Sequence, residues 1–400
     1  MEIRELKPSE HKDFHQICQT VFFDIDRDEF EKPADDENVR IGAFDAQGKL
    51  QAALMVLPYV MRMNGRDVKM GGLGAVVSRP ETRGQGHMPA LMRAAFDVMR
   101  KNGQIFSFLY PFSFAYYRKF GYEMCFAHNR LKIPVSQLGA YKREVGCGQM
   151  SPDTAAVKIE SASDTRRLKK IYEHFTREQN LAIVRSDAAW EKFLDRDACR
   201  DLEFSYLFSD DTGQDVAYIL YGVERDDDDG NRLIVEECCW VSPQCLHMVL
   251  GFLARLGAEF EYVIWNAPTD FDVLFPEAFD VERRVEVKGM NRILDIPAAL
   301  ETLRAPDGIG RVTLGVTDDF LQENTGVYAV EWGDGAVSAK KIDATDATDF
   351  STSVQTLAQL VTGYITPEIA ALKKDTAVNG AGAELSALFI KRNQFITEWF

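Results

Sequence analysis

The run AVVSRPETRGQGHMPALM, residues 75–92, sets Arg83, Gly84 and Gly86 between an apolar strand pattern and a helix pattern. Glycines permit the tight turn that lines up successive backbone N–H groups, and a helix N-terminus adds positive potential. Together they make a cradle for a pyrophosphate, with Arg83 better placed than Arg79 to add direct charge. On pattern alone the same residues also suit an ordinary strand–helix turn, where glycine serves geometry only. The run has neither the G-x-G-x-x-G of a dinucleotide site nor the G-K-[ST] of a Walker loop.

A second run, SFLYPFSFAYYRKFGYEM at residues 107–124, ends a strand at Tyr110 and puts Tyr116, Tyr117 and Arg118 on a short helix. Gly121 then releases the chain into Tyr122. These aromatics suit a core, and Gly121 a helix C-cap. A tyrosine at a strand entrance beside a phosphate cradle suits proton donation to a leaving thiolate. A third run, VFFDIDRDEF at residues 21–30, groups Asp24, Asp26, Asp28 and Glu29 with Phe22, Phe23 and Phe30. It reads as a solvated charge run, or as carboxylates and apolar walls that hold a polyamine.

Charge and composition narrow the classes. In 400 residues, 46 Lys and Arg stand against 62 Asp and Glu, a net charge of −16. That sign opposes generic binding to nucleic acid or anionic membranes and attracts cationic small molecules. Apolar residues at 46% and charged residues at 27% match a folded soluble protein. No stretch approaches the ~20 apolar residues of a membrane span. The charged N-terminus MEIRELKPSEHKDF does not read as a signal peptide.

Seven cysteines without a C-x-x-C pair fit a reducing cytoplasm. Cys238, Cys239, Cys245 and His247 lack paired ligand spacing, so LIVEECCWV reads as a buried strand and no metal is expected. Of the six histidines only His87 lies in the cradle, where it supplies packing or a backbone N–H. His11, His15, His174 and His247 read as helix residues, and His128 as a strand residue.

The elements around the cradle follow from periodicity. Strands are expected at Arg40–Phe44, Gln51–Pro58 and Gly74–Val77, with a turn at Asn64-Gly65. An amphipathic helix at Pro89–Lys101 places Leu91, Met92, Ala95, Phe96 and Met99 on one face, and a strand follows at Gln104–Tyr110. After a loose stretch at Glu144–Asp153 a second alternation begins. Its helices are expected near Thr165–Gln179 and Asp187–Leu194, and its strands near Leu202–Phe208, Asp215–Glu224 and Arg232–Trp240. Beyond Asn291–Ile296, strand-like VTLGV, VYAVEW and AVSAKKI precede a helical SVQTLAQLVTGY and a final helix, Glu384–Arg392. The length predicts two to three domains.

In order and spacing the first two runs resemble the GCN5-related N-acetyltransferase (GNAT) superfamily. Its acetyl-CoA loop, Q/R-x-x-G-x-G/A, is matched by Arg83-Gly84-Gln85-Gly86-His87-Met88, with Met88 departing at the last position. The Val77-to-Arg83 loop (V-x-x-P-x-x-R), Arg118-Lys119-Phe120-Gly121-Tyr122, Asn291-Arg292-Ile293-Leu294-Asp295, Gly326-Val327-Tyr328 and Thr362-Gly363-Tyr364 look like the Eis (enhanced intracellular survival) acetyltransferase family over nearly the whole chain.

The resemblance implies an α/β (α+β) architecture of two tandem GNAT-like domains followed by a sterol-carrier-protein-like domain. The expected boundaries are 1–148, 149–290 and 291–400, with acetyl-CoA held only by the first domain. It implies Ala75, Val76, Val77, Arg83, Gly84, Gln85, Gly86, His87, Met88, Tyr117 and Arg118 as acetyl-CoA residues. Phe22, Asp24, Asp26 and Glu29 then line the acceptor pocket. It also implies Tyr122 as general acid and the terminal carboxylate of Phe400 as general base, with Glu398 a competing base, and a hexamer. The expected activity is acetyl transfer to an amine of a cationic acceptor, aminoglycoside-like or lysine-like. The alternative is a hydrophobic-ligand carrier with a vestigial acetyl-CoA module, and coenzyme A release with a panel of amines separates the two.

Overall fold

A computed structural model describes residues 1–22, 37–143, 157–158, 162–192, 202–226, 230–268, 271–343 and 348–398. Two compact units emerge. The first contains residues 1–126, 288–392 and 398–400, and the second residues 127–287 and 393–397.

The first unit begins with β1 (Glu2–Glu5), α1 (His11–Cys18), β2 (Val39–Phe44), β3 (Leu50–Met63) and β4 (Arg66–Ser78). The hairpin between β3 and β4 turns on Asn64 and Gly65, both at positive φ, as Asn-Gly favours. Helix α2 (His87–Lys101), β5 (Phe106–Leu109), α3 (Phe114–Arg118) and β6 (Glu123–Pro134) follow. Two expected boundaries move. β4 starts eight residues before Gly74, because the hairpin ladder runs on from Arg66. Helix α2 starts two residues before Pro89, because the left-handed Gly86 turns the chain into the helix at once. The α2 face Leu91, Met92, Ala95, Phe96 and Met99 is buried as its periodicity predicts. It packs with Leu54, Val56, Leu73 and Leu109 on one side of the sheet. The α1 face, Phe14, Ile17 and Cys18, packs with Ala53, Met55, Ala75 and Val77 on the other.

The second unit takes up β6 from Ala127 and adds β7 (Val157–Lys158), α4 (Ala162–Thr176), α5 (Asp187–Lys192), β8 (Glu203–Ser209), β9 (Asp215–Asp226), β10 (Gly230–Trp240), α6 (Pro243–Arg255) and β11 (Tyr262–Ala267). Its strand order is β6-β11-β10-β9-β8-β7. Cys238 and Cys239 lie buried in β10, where burial pushes both thiols up, the behaviour of packed hydrophobes. Residues 393–397 return to this unit. Phe395 donates its N–H to the Asn180 carbonyl, and its ring packs on Phe175. Thr397 bonds Glu237 at 2.6 Å inside a buried Arg185–Glu237 ion pair, which Tyr218 also caps.

β12 (Glu282–Ile293) carries the chain back to the first unit, where Met290–Ile293 pair with β5 and the strand order reads β1-β2-β3-β4-β5-β12. A five-stranded sheet follows from β13 (Gly310–Thr317), β14 (Gly326–Gly333), β15 (Ala336–Ile342), β16 (Phe350–Ser353) and β17 (Ala377–Val378), in the order β15-β14-β13-β16-β17. Helix α7 (Val354–Val361) buries nearly all round. Helix α8 (Gly382–Leu388) stops earlier than the expected Arg392, whose backbone N–H bonds the Gly363 carbonyl instead. Among the described residues no helix is long and apolar enough to cross a membrane.

Candidate active site

β4 and β5 pair in parallel only from Met70 to Gly72 against Phe106 to Phe108. Beyond that, β4 continues to Ser78 against β3 alone. Between Gly74 and Val77 it advances three residues while β3 advances two, a bulge that leaves Ala75 and Val76 opposite Leu54. Ala75 takes φ +46 there, a backbone conformation that alanine adopts only where neighbours impose it. Among the described residues the edge of β4 toward β5 therefore has no strand partner over Leu73–Ser78, and Ala75, Val76 and Val77 lie along that open edge.

The loop beyond β4 sorts its charges. Arg79 spends its guanidinium on the Leu50 carbonyl at 2.6 Å. Arg83 is exposed and has no side-chain partner among the described residues. Gly84 and Gly86 sit at φ +82 and +80, and a Cβ at either would meet nothing within 4 Å. Backbone conformation, not crowding, requires glycine at both. Helix α2 then opens without a side-chain cap or an acidic residue in its first turn, and with Arg100 and Lys101 in its last. Its first N–H groups are thus left for an anion. His87 places Nδ1 3.0 Å from Met1 Sδ, while its Nε2 is buried without a partner among the described residues. Gln85 is exposed and Met88 packs against the α2-side core. An open strand edge leading to two left-handed glycines, an exposed arginine and an uncapped helix end fits the amide chain and pyrophosphate of acetyl-CoA.

Tyr122 is fully buried. Its hydroxyl lies 2.6 Å from Ser107 Oγ, and Ser107 donates to the Gly71 carbonyl at 3.1 Å. Because Ser107 has one proton and gives it to Gly71, Tyr122 is the donor in the first bond. Gly71 and Ser107 face each other across the β4–β5 ladder, one step before it opens. Burial pushes the Tyr122 phenol up, against the Ser107 bond and the charge of Arg292. The raised phenol stays protonated and is available as a hydrogen-bond donor.

The other sheet face receives the chain end. Tyr59 pairs with Met70 and Met70 with Phe106, so their side chains share a face, and Phe108 and Tyr110 continue it. Tyr110 donates its hydroxyl to the Glu398 carbonyl at 2.6 Å. Burial, and then the Glu398 carboxylate, push Tyr59 up to about 12 and Tyr110 higher still. Glu398 is thereby held beside two tyrosines on the α1 side.

Ala75 to Val77 lie on the β4 edge, Arg83 to Met88 form the loop and helix start that follow β4, and the Tyr122 hydroxyl bonds Ser107 on β5. Tyr117 is buried in the α2-side core. Arg118 forks onto Glu123, with the shortest contact 2.7 Å, so its guanidinium is already engaged. Phe22 stands exposed beyond α1. Asp24, Asp26, Glu29 and Phe400 lie outside the described residues. Sequence reasoning missed Ser107, a plain serine in an apolar strand, and Arg292, which the sequence presents only as a member of the Asn291-to-Asp295 motif.

Residues 2–125 match an acetyltransferase (GNAT) domain family, residues 181–293 a second acetyltransferase (GNAT) domain family, and residues 296–397 a sterol carrier protein domain family. No curated protein matches by sequence. A GCN5-related N-acetyltransferase from Anabaena variabilis shares the fold with a TM-score of 0.84 at 20% identity, covering 100% of both chains. One from Kribbella flavida gives 0.80 at 20% identity, covering 100% of this chain and 98% of the other. Eis1 from Mycobacterium abscessus gives 0.79 at 19% identity over 100% of both. Two acetyltransferase (GNAT) domains within it make the protein an acetyltransferase, for which acetyl-CoA is the implied co-substrate. Two GNAT domains and a sterol carrier protein domain make its architecture Eis-like.

Proposed function

We propose that this enzyme transfers the acetyl group of acetyl-CoA directly to an amine of a cationic acceptor, aminoglycoside-like or lysine-like. The observation that carries the reading is the position of Tyr122, whose hydroxyl bonds Ser107 at the last rungs before β4 and β5 part. In this reading Arg83, the amides of Gly84 to His87 and the α2 N-terminus hold the pyrophosphate, and the open edge at Ala75 to Val77 holds the amide chain. The acceptor amine attacks the thioester carbonyl, Tyr122 protonates the departing thiolate, and a carboxylate takes the amine's proton. Holding two reactants in line supplies up to ~7–11 kcal/mol of the barrier.

The Phe400 carboxylate is the proposed base. Support comes from Tyr110, which fixes the Glu398 carbonyl at the end of β5. The Glu398 side chain is the rival base on the same sheet face. The net charge of −16, and the acidic run around Asp24, Asp26 and Glu29, favour a cationic acceptor. Domain boundaries at 148 and 290, a hexameric assembly and a cytoplasmic home complete the proposal. Coenzyme A release with polyamines, an aminoglycoside and lysine tests it, and no release with any amine would return the chain to the hydrophobic-ligand carrier reading.

A further inference from the structure

The conspicuous charge of the Asn291-to-Asp295 motif does not face solvent. Arg292 is fully buried, and so is Asp318, which accepts from its Nη2 at 2.6 Å. Nη1 donates to the Phe120 carbonyl at 2.6 Å, and Nε has no partner among the described residues. Asp318 itself is fixed by the N–H groups of Phe320 and Leu321 and by the Asn324 amide. The guanidinium stands 5.1 Å from the Phe96 ring, which packs on Tyr122 at 6.0 Å between centroids. It also fills the space above Gly121, where an added Cβ would lie 1.3 Å from Nη1. A buried ion pair of this kind is costly to desolvate, so its presence next to the F-G-Y turn calls for a use.

We infer that Arg292, held by Asp318, is a positioning residue for Tyr122: it clamps the Phe120–Gly121 turn and supplies the buried positive charge against which Tyr122 releases its proton. This rests on the proposed role of Tyr122. In that step the Tyr122 O–H bond breaks and an S–H bond forms on the departing coenzyme A thiolate. The electron pair stays on the phenolate oxygen, in a site with little other solvation. The proton taken from the amine by the carboxylate base returns through solvent to restore the phenol. The charge of Arg292 favours ionised Tyr122, in agreement with its place in the packing.

The test is a mutant cycle on the full-length enzyme, with R292K and R292Q/D318N each made in the Tyr122 and the Y122F backgrounds. The neutral double substitution avoids stranding a buried charge, and R292K decides alone if the double variant does not fold. With Tyr122 present, kcat is expected to fall ~10-fold or more while the acetyl-CoA KM holds, and in the Y122F background no further loss is expected. Fluorinated tyrosine at position 122, a stronger acid, should recover part of the lost kcat. Equal losses in both backgrounds, or undiminished kcat with Tyr122, overturn the role of Arg292. Full activity of Y122F alone overturns the reading of Tyr122 itself, a separate result.

Discussion

Tyr122 and Ser107 are locked 2.6 Å apart by a bond whose direction is set, because Ser107 already gives its proton to the Gly71 carbonyl. The phenol must therefore turn away from Ser107 to protonate a thiolate. That step needs the hydroxyl and nothing else that the ring carries. Tyr122→Phe should leave acetyl-CoA affinity in calorimetry unchanged and lower kcat by ~10²–10⁴. Wild-type turnover would make Tyr122 a core residue only.

Arg83 is the exposed charge at the cradle, whereas Arg79 is committed to Leu50. Arg83→Glu should weaken acetyl-CoA binding by ~1.5–3 kcal/mol, the range of a charge-assisted hydrogen bond, with added repulsion. Its Tm should not change, since no side-chain contact is lost. Unchanged affinity would place the pyrophosphate elsewhere.

Gly121→Ala tests the space above the F-G-Y turn. A methyl there meets the Arg292 guanidinium at 1.3 Å and also sits at φ +81, so both sterics and backbone oppose it. Overpacking of a closed core costs ~1–3 kcal/mol or more, and the displaced ion pair adds to that. A clear drop in the denaturant midpoint is expected, accompanied by lost activity. A stable, active alanine variant would mean that Arg292 moves freely.

How legible each part was depended on sequence distance. The cradle could be read because Arg83, Gly84, Gly86 and the helix pattern fall within one turn of chain, and the buried face of α2 because its period is helical. The left-handed Ala75 could not, since it exists only through a bulge between strands that must first pair. Ser107 stands fifteen residues from Tyr122 with no motif linking them. Arg292 appeared only as a member of the Asn291-to-Asp295 motif, because its partner Asp318 and the Phe120–Gly121 turn come together only when β12 lies beside β5. The anchors of Phe395 and Thr397, Asn180 and the Arg185–Glu237 pair, carry no sequence sign of that job.

Glu237 gives a pH signature within the second unit. Burial opposes its ionisation, but Arg185, Thr397 and Tyr218 outweigh that and leave the carboxyl below its ordinary range. A depressed carboxyl stabilises above the unfolded value of ~4.3 and loses that contribution as pH falls through the folded one. Glu237→Gln strands the Arg185 guanidinium and should cost ~3–5 kcal/mol at pH 7, with the gap to wild type narrowing in acid. Thermal unfolding at pH 7 and pH 3 checks both parts, and a constant gap would contradict the assignment.

The chain end offers the most selective test. Tyr110 holds the Glu398 carbonyl at 2.6 Å, and the proposed base is the carboxylate of Phe400. Adding a few residues after Phe400 turns that carboxylate into a neutral amide, although no side chain is altered. If it is the base, a C-terminal tag should abolish activity, and cleavage back to Phe400 should restore it at an unchanged Tm. A Glu398 base predicts the reverse pattern: the tagged enzyme works, and Glu398→Gln, which keeps the main-chain bond to Tyr110, does not. Measuring coenzyme A release for the native, tagged, tag-cleaved and E398Q enzymes separates the two carboxylates. Full activity in the tagged form would exclude the terminal one.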